Sequence, residues 1–288
     1  MTVTLMGSAE VVEKPAEQTV FVEDLPPQQV EAAASAYPPG MKNLGNTCFM
    51  NATVQCLRSV PELQQALDVY NPERADSGAQ LTRAARELFQ QLTRREQAAV
   101  QPMLFHTLMV TLFPSLGTRD ERTGFLQQQD AEECWSQLLS VFGQHLRPLA
   151  GGRDAVSELF AGSVRVRMQN EEAPDEPAEE RSERITKLAC HIDEKTSHLM
   201  QGLRAALSEQ LRKNSAHLGR EALYRKTQTL ERLPYYLTVQ FMRFYWNQTA
   251  GVRGKIVKPI EFPFTLDLFD LCTDELKREL EPGRKALK

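Results

Sequence analysis

The chain has 288 residues, 41% apolar and 25% charged, with a formal net charge of −4 and a sequence pI of about 5.9. That length and composition suit one large or two smaller globular domains with a sizeable core. The weak acidity excludes a phosphate-tracking nucleic-acid binder, which needs a basic surface.

Residues 1–40 do not read as a domain. Thr2-Val3-Thr4-Leu5 alternates like one strand, and a lone strand cannot bury itself. Glu10–Glu17 and Glu23–Gln29 are polar and proline-containing, with Val20-Phe21-Val22 between them. The segment is predicted to be the tail of another unit followed by a linker.

Residues 41–150 are helix-rich. Asn46 or Thr47 can cap a helix running to Ser59, with Phe49, Ala52, Cys56, Leu57 and Val60 as its apolar stripe and Pro61 as its stop. Residues 79–97 are strong helix formers. Further helices fit 102–112 and 129–146, the latter with Ala131, Cys134, Trp135, Leu138, Leu139 and Phe142 on one side.

From about residue 157 the period changes. Leu159–Met168 alternates and predicts a strand. The acidic, proline-containing run 170–183 predicts a solvated loop or disordered insertion. Leu188–Ile192 predicts a strand and 197–213 a helix. Leu237–Phe241, Ile256-Val257 and Ile260–Phe264 predict short strands, and 274–280 a helix. Helices first and strands later give an α+β architecture, a helical lobe beside a sheet lobe, with a cleft between them as the natural site.

The five cysteines are Cys48, Cys56, Cys134, Cys190 and Cys272, and no CxxC pair occurs. Neither a zinc ribbon nor a thioredoxin-type site is predicted, and no metal or cofactor is expected. The thiols read as reduced and intracellular. The N-terminus lacks the basic start and apolar core of a signal peptide, and no apolar run is long enough for a bilayer. No membrane or nucleic-acid partner is expected.

The most informative stretch is Gly40-Met41-Lys42-Asn43-Leu44-Gly45-Asn46-Thr47-Cys48-Phe49-Met50-Asn51. Gly45 and Asn46 both tolerate left-handed backbone angles and permit a tight turn. The turn leads into a helix whose first turn contains Cys48. Free amides and the positive helix end stabilise a thiolate there, the reactive form of cysteine. Asn43, on the inbound arm, can present an amide to an oxyanion forming near the sulfur. On position alone, packing is the competing role for Cys48. Cys56, Cys134, Cys190 and Cys272 read as core residues.

This stretch resembles the cysteine box of the ubiquitin-specific protease family of cysteine deubiquitinases. Gln127-Gln128-Gln129-Asp130-Ala131-Glu132-Glu133-Cys134-Trp135 is similar to that family's glutamine-aspartate box. Arg232–Phe244 looks like its central palm strands. The resemblance spans about 41 to 272. It implies a papain-like thumb–palm–fingers fold, with 41–150 as helical thumb and 157–288 as fingers and a C-terminally truncated palm. It implies Cys48 as nucleophile and Asn43 as oxyanion donor. It also implies that Gln129 and Asp130 line the channel for ubiquitin's extended, arginine-bearing C-terminal tail. Position alone also allows Asp130 simply to cap the 129–146 helix.

Asn51–Cys56, Glu133-Cys134-Trp135, the 262–273 run and Val20–Asp24 resemble the family's proteasome-associated branch, whose catalytic domain follows a ubiquitin-like domain; the resemblance implies that 1–8 is the last strand of that domain and 9–40 the linker. Ubiquitin, ubiquitinated proteins and the 26S proteasome regulatory particle are the implied partners. The implied location is the cytoplasm, with the nucleus a second one.

The family's Gly-His-Tyr element and the Asp or Asn that follows it do not occur in these 288 residues. None of His106, His145, His191, His198 and His217 has the expected neighbours, and none is expected to act as base. The 288-residue chain is therefore expected to be poorly active and only marginally stable by itself. The competing function is a non-catalytic ubiquitin-binding or proteasome-regulatory protein.

Overall fold

A computed structural model describes Pro26 and residues 38–72, 76–94, 98–146, 154–193, 196–247 and 251–286. The expectations for 1–8 and for nearly all of 9–40 lie outside these residues. The chain enters through β1 (Gly40–Met41), which pairs in parallel with β2 (Ala99–Val100). Between them run α1 (Cys48–Arg58), α2 (Pro61–Asp68) and α3 (Ser77–Arg94). Then come α4 (Met103–Leu112), α5 (Ala131–His145) and the short α6 (Ala155–Phe160). Pro61 does not merely stop α1. It occupies the first turn of α2, where its missing N–H has no cost.

These helices share one core. α1 gives Met50, Val54 and Leu57, α3 gives Leu81, Ala85 and Leu92, and α5 gives Cys134, Leu138 and Phe142. The predicted stripe on α1 is rotated: Phe49, Met50, Thr53, Val54 and Leu57 are buried, whereas Ala52 and Cys56 are exposed. Cys56 is therefore not a core residue.

The second lobe is built on an antiparallel sheet of order β4-β3-β7-β6. Its strands are β3 (Gly162–Asn170), β4 (Glu179–Ile185), β6 (Ser208–Ser215) and β7 (Arg220–Arg232). Between β4 and β6 lie β5 (Leu188–His191) and α7 (Leu199–Ala206). β5 pairs in parallel with β8 (Val239–Met242), and β9 (Phe244–Asn247) pairs with β10 (Val252–Lys255). The described chain closes with α8 (Asp274–Ala286).

Several expectations are corrected here. The strand predicted from Leu159 starts at Gly162, because Asp154 caps α6 through the Ser157 N–H at 2.8 Å and keeps 155–160 helical. The helix predicted over 197–213 ends at Ala206, and its second half is β6, paired with β7 along its whole length. The run 170–183 is no disordered insertion. Glu179–Ile185 pairs with β3, and Glu176 in the preceding turn accepts from Asn170 Nδ2 (2.5 Å), Ser215 Oγ (3.0 Å) and Tyr224 OH (2.8 Å). Those donors hold the Glu176 carboxyl below its usual range, Asn170 foremost. Ile256-Val257 and Ile260–Phe264 form no named strand; Glu261 makes a single bridge with His198. α8 runs beyond the predicted 280 to Ala286, through Pro282.

Candidate active site

The turn before Cys48 is organised by one side chain. Asn43 Oδ1 accepts from the Gly45 and Thr47 N–H groups, each at 3.0 Å, and from Thr47 Oγ1 at 3.1 Å. The Leu44 N–H donates to Thr47 Oγ1 at 2.9 Å. Gly45 (φ 98°) and Asn46 (φ 52°) take the left-handed angles expected of them. The carbonyl end of Asn43 is thus committed inside the turn. The amide end of this exposed side chain is the part left for another acceptor, as an oxyanion donor requires.

Buried Thr47 sits at the cap position and Cys48 is the first residue of α1. Cys48 is exposed, so a substrate can reach its sulfur. The other exposed thiol, Cys56, lies in the last turn of the same helix. An anion is favoured at a helix start by unpaired N–H groups and disfavoured at its end by unpaired carbonyls. Burial pushes Cys134 up to about 12, and it also raises Cys190 and Cys272. Those three are packing residues, as their apolar settings implied.

The glutamine-aspartate segment is brought to the same place. Thr53 Oγ1 on α1 donates to Ala131 O at 3.2 Å, tying the Cys48 helix to the start of α5. Asn46 Nδ2 donates to Leu126 O at 2.7 Å, and so fastens the turn to the 118–127 hairpin. Gln129 Nε2 donates to Thr118 Oγ1 at 2.5 Å at the base of that hairpin. Asp130 caps α5, with Oδ1 accepting from the Glu132 N–H at 2.8 Å. The capping role weighed for Asp130 is present; its second oxygen and its exposure leave it able to accept from a bound chain as well.

The hairpin was not anticipated from sequence. Asp120 Oδ1 gathers the N–H groups of Arg122 (3.2 Å) and Thr123 (2.8 Å) and the Thr123 hydroxyl (2.8 Å). The Asp-x-x-Thr spacing of an Asx-type turn was the available signal.

Among the described residues no hydrogen bond or ion pair joins a histidine to Cys48. His106 is buried on α4, His145 faces Asp76 at 3.5 Å and His191 ends β5. His198 caps α7 beside Glu261, and His217 stands near Asp175 in the β6–β7 turn rather than beside a helix.

The family model described as "Ubiquitin carboxyl-terminal hydrolase" matches residues 39–285. The chain belongs to this family. It is 42% identical to "Ubiquitin carboxyl-terminal hydrolase 6" of Arabidopsis thaliana, over 99% of this chain and 59% of that protein. Its identity to the protein of the same name in Schizosaccharomyces pombe is 38%, over 91% of this chain and 53% of the relative. With "Ubiquitin carboxyl-terminal hydrolase 14" of Caenorhabditis elegans it is 31%, over the whole chain and 58% of the relative. The chain thus spans somewhat over half the length of these relatives.

Among solved structures, the SAGA Ubp8/Sgf11/Sus1/Sgf73 DUB module bound to ubiquitin aldehyde superposes with a TM-score of 0.63 at 20% identity. That match covers 82% of this chain and 53% of the other. The fold is accordingly the α+β, papain-like arrangement of ubiquitin-specific proteases. The helical lobe carries the segment that resembles the family's cysteine box, and the start of α5 the one that resembles its glutamine-aspartate box.

Proposed function

We propose that this chain supplies the nucleophile and the ubiquitin-tail channel of a thiol-dependent deubiquitinase acting on the isopeptide bond at ubiquitin's C-terminus. The observation that carries this reading is the exposed Cys48 at the first position of α1, directly after a turn locked by Asn43. The Cys48 thiolate attacks the terminal glycine carbonyl, and the Asn43 amide donates to the oxyanion. Collapse forms a thioester and expels the lysine amine, which takes a proton; water then attacks the thioester and frees both ubiquitin and the thiolate. No proton transfer is assigned to the five histidines here, since none of them is joined to Cys48. Gln129 and Asp130 hold the extended tail.

The finer reading places the protein in the cytoplasm, with the nucleus a second location, on the proteasome regulatory particle. It rests on the likeness of segments 51–56, 133–135 and 262–273 to the proteasome-associated branch.

Covalent capture by ubiquitin carrying a C-terminal propargylamide tests the core of this proposal. The wild-type chain and Cys56→Ala are expected to gain the mass of one ubiquitin, and Cys48→Ala none. An adduct that survives in Cys48→Ala removes the assignment. Sustained turnover of a fluorogenic ubiquitin substrate by the 288-residue chain would leave Cys48 as nucleophile and make one of these five histidines the proton-transfer residue.

A further inference from the structure

Glu132, the second residue of α5, is bonded to both lobes at once. Its backbone N–H donates to Asp130 Oδ1 at 2.8 Å, which fixes the carboxylate assigned to the ubiquitin tail. Its own carboxylate accepts from Ser136 Oγ at 2.5 Å, from Lys187 Nζ and from the Gln240 side chain. Lys187 directly precedes β5, and Gln240 lies in β8 opposite Ala189 of β5. One side chain on the helical lobe thus grips both strands of the parallel pair on the sheet lobe.

The setting separates this pair from an ordinary surface ion pair, which contributes little. The two side chains are only 26% and 34% exposed. Burial works to raise the Glu132 carboxyl, yet Lys187, Ser136 and Gln240 together outweigh it and hold the group below its usual range. A half-buried carboxylate with three donors in fixed places has a defined position.

The lobes are also joined elsewhere. Tyr236 OH donates to Glu62 Oε2 at 2.7 Å, the Tyr236 N–H to Leu159 O at 2.8 Å, and Arg184 Nη2 to Ser157 Oγ at 2.6 Å. Phe160 packs between Trp135, edge to face, and Tyr236, tilted, with ring centroids 5.6 and 6.0 Å away. These contacts, made by α2 and α6, hold the lobes together without Glu132. The Glu132–Lys187 contact has a different place: it meets the sheet lobe at the turn that carries Gln129 and Asp130.

We propose that Glu132 and Lys187 form a latch that sets the Gln129–Asp130 turn against the β5–β8 pair and thereby tunes affinity for the ubiquitin tail. The proposal rests on the reading of Gln129 and Asp130 as the tail channel. Both latch residues are positioning residues and neither touches the reacting atoms. Their loss widens or misaligns the channel and leaves the sulfur and its turn intact.

The test is ubiquitin binding by the full chain, compared with ubiquitin lacking its terminal Gly-Gly. Glu132→Gln and Lys187→Met are each expected to weaken binding of intact ubiquitin about tenfold, a loss of about 1.4 kcal/mol. Binding of the truncated form and the rate of Cys48 alkylation by iodoacetamide are expected to stay unchanged. The charge swap Glu132→Lys with Lys187→Glu is expected to recover most of the affinity, which a purely structural role would not predict. Equal losses for intact and truncated ubiquitin, unaltered binding in both single variants, or a swap no better than the singles overturns the latch. Asp130→Asn and Gln129→Ala separate the two levels. If they leave intact-ubiquitin binding unchanged, the tail channel itself is misplaced and the latch falls with it; if they weaken binding and the latch variants do not, the latch alone fails.

Discussion

The helical lobe and the sheet lobe are stabilised differently. In the helical lobe, Met50, Leu57, Leu81, Leu92, Met109, Leu138 and Phe142 interlock from four helices in one contiguous core. In the sheet lobe, β3 turns Val164 and Val166 inward onto Leu230, while its outer face carries Arg165 and Arg167 paired with Glu231, Glu275 and Glu180. Exposed large apolar side chains occur on both lobes but gather on the second: among the described residues Val69, Met103, Leu104 and Phe125 lie on the helical lobe, whereas Phe244, Tyr245, Val252, Val257, Phe262 and Phe264 cluster within about twenty residues of the sheet lobe. The half that carries Cys48 holds its shape by its own packing. The half that faces it relies on polar networks such as that around Glu176 and keeps apolar surface available.

The most severe challenge to that contrast is a cavity in each core. Leu138 is fully buried, and Leu138→Ala is expected to cost about 3–5 kcal/mol through lost burial and an unfilled cavity. Leu203→Ala is the counterpart in the sheet lobe, where Leu203 is also fully buried but belongs to a smaller cluster. A smaller loss is expected there, nearer about 2 kcal/mol, because the thinner lobe can collapse onto the gap. Urea denaturation of both variants checks this, and equal losses would remove the distinction.

The same division governed what could be read from sequence. The turn at 43–47, the start of α1 at Cys48 and the cap at Asp130 are local devices, and the residue types alone specified them. α3, α4 and α5 followed from helix formers and a 3.6-residue period. β7 did not. Its sequence, Arg220–Arg232, is rich in Glu, Arg, Lys, Gln and Leu, all good helix formers. It is a strand because β3 and β6 flank it on both sides, which is a non-local cause. Cys56 was misplaced for a smaller reason: the true stripe on α1 runs through Met50 and Val54, one step round the helix from the one assumed. At the site, the bond from Asn46 to Leu126 joins residues 80 apart in the chain, so no local pattern could announce it.

A smaller perturbation probes how tightly the sheet lobe closes on itself. Gly202 lies in the middle of α7, where alanine is the better helix former by about 1 kcal/mol. A Cβ there would stand 2.4 Å from Cys190 Sγ and 2.7 Å from His191 O, and the backbone carbonyl cannot swing away. Gly202→Ala is therefore expected to destabilise by about 1–3 kcal/mol despite the gain in propensity. Thermal melting reads the sign directly. A more stable alanine variant would mean that α7 can ride up on β5, and that this lobe is looser than its buried Cys190 implies.

The smallest expected effect returns to the helical lobe and concerns acid. His106 on α4 is buried, and its Nε2 finds no partner among the described residues. Burial, and then the nearby Arg119 charge, push its pKa below the ordinary 6.5. The unfolded chain takes up a proton at that ordinary value and the folded chain resists until lower pH. Over the interval between the two values the unfolded state binds more protons, so stability falls as pH drops through 6.5. Glu62, Glu132 and Glu231 are all held below their usual 4.5, so their losses begin at more acidic pH than the onset near 6.5. His106→Leu removes both the titration and the orphaned nitrogen. Urea midpoints at about pH 7.5 and about pH 5.5 should differ in the wild type and converge in the leucine variant. If the two proteins lose stability in parallel, the imidazole is not held neutral, and the packing around α4 is less complete than that of the core it adjoins.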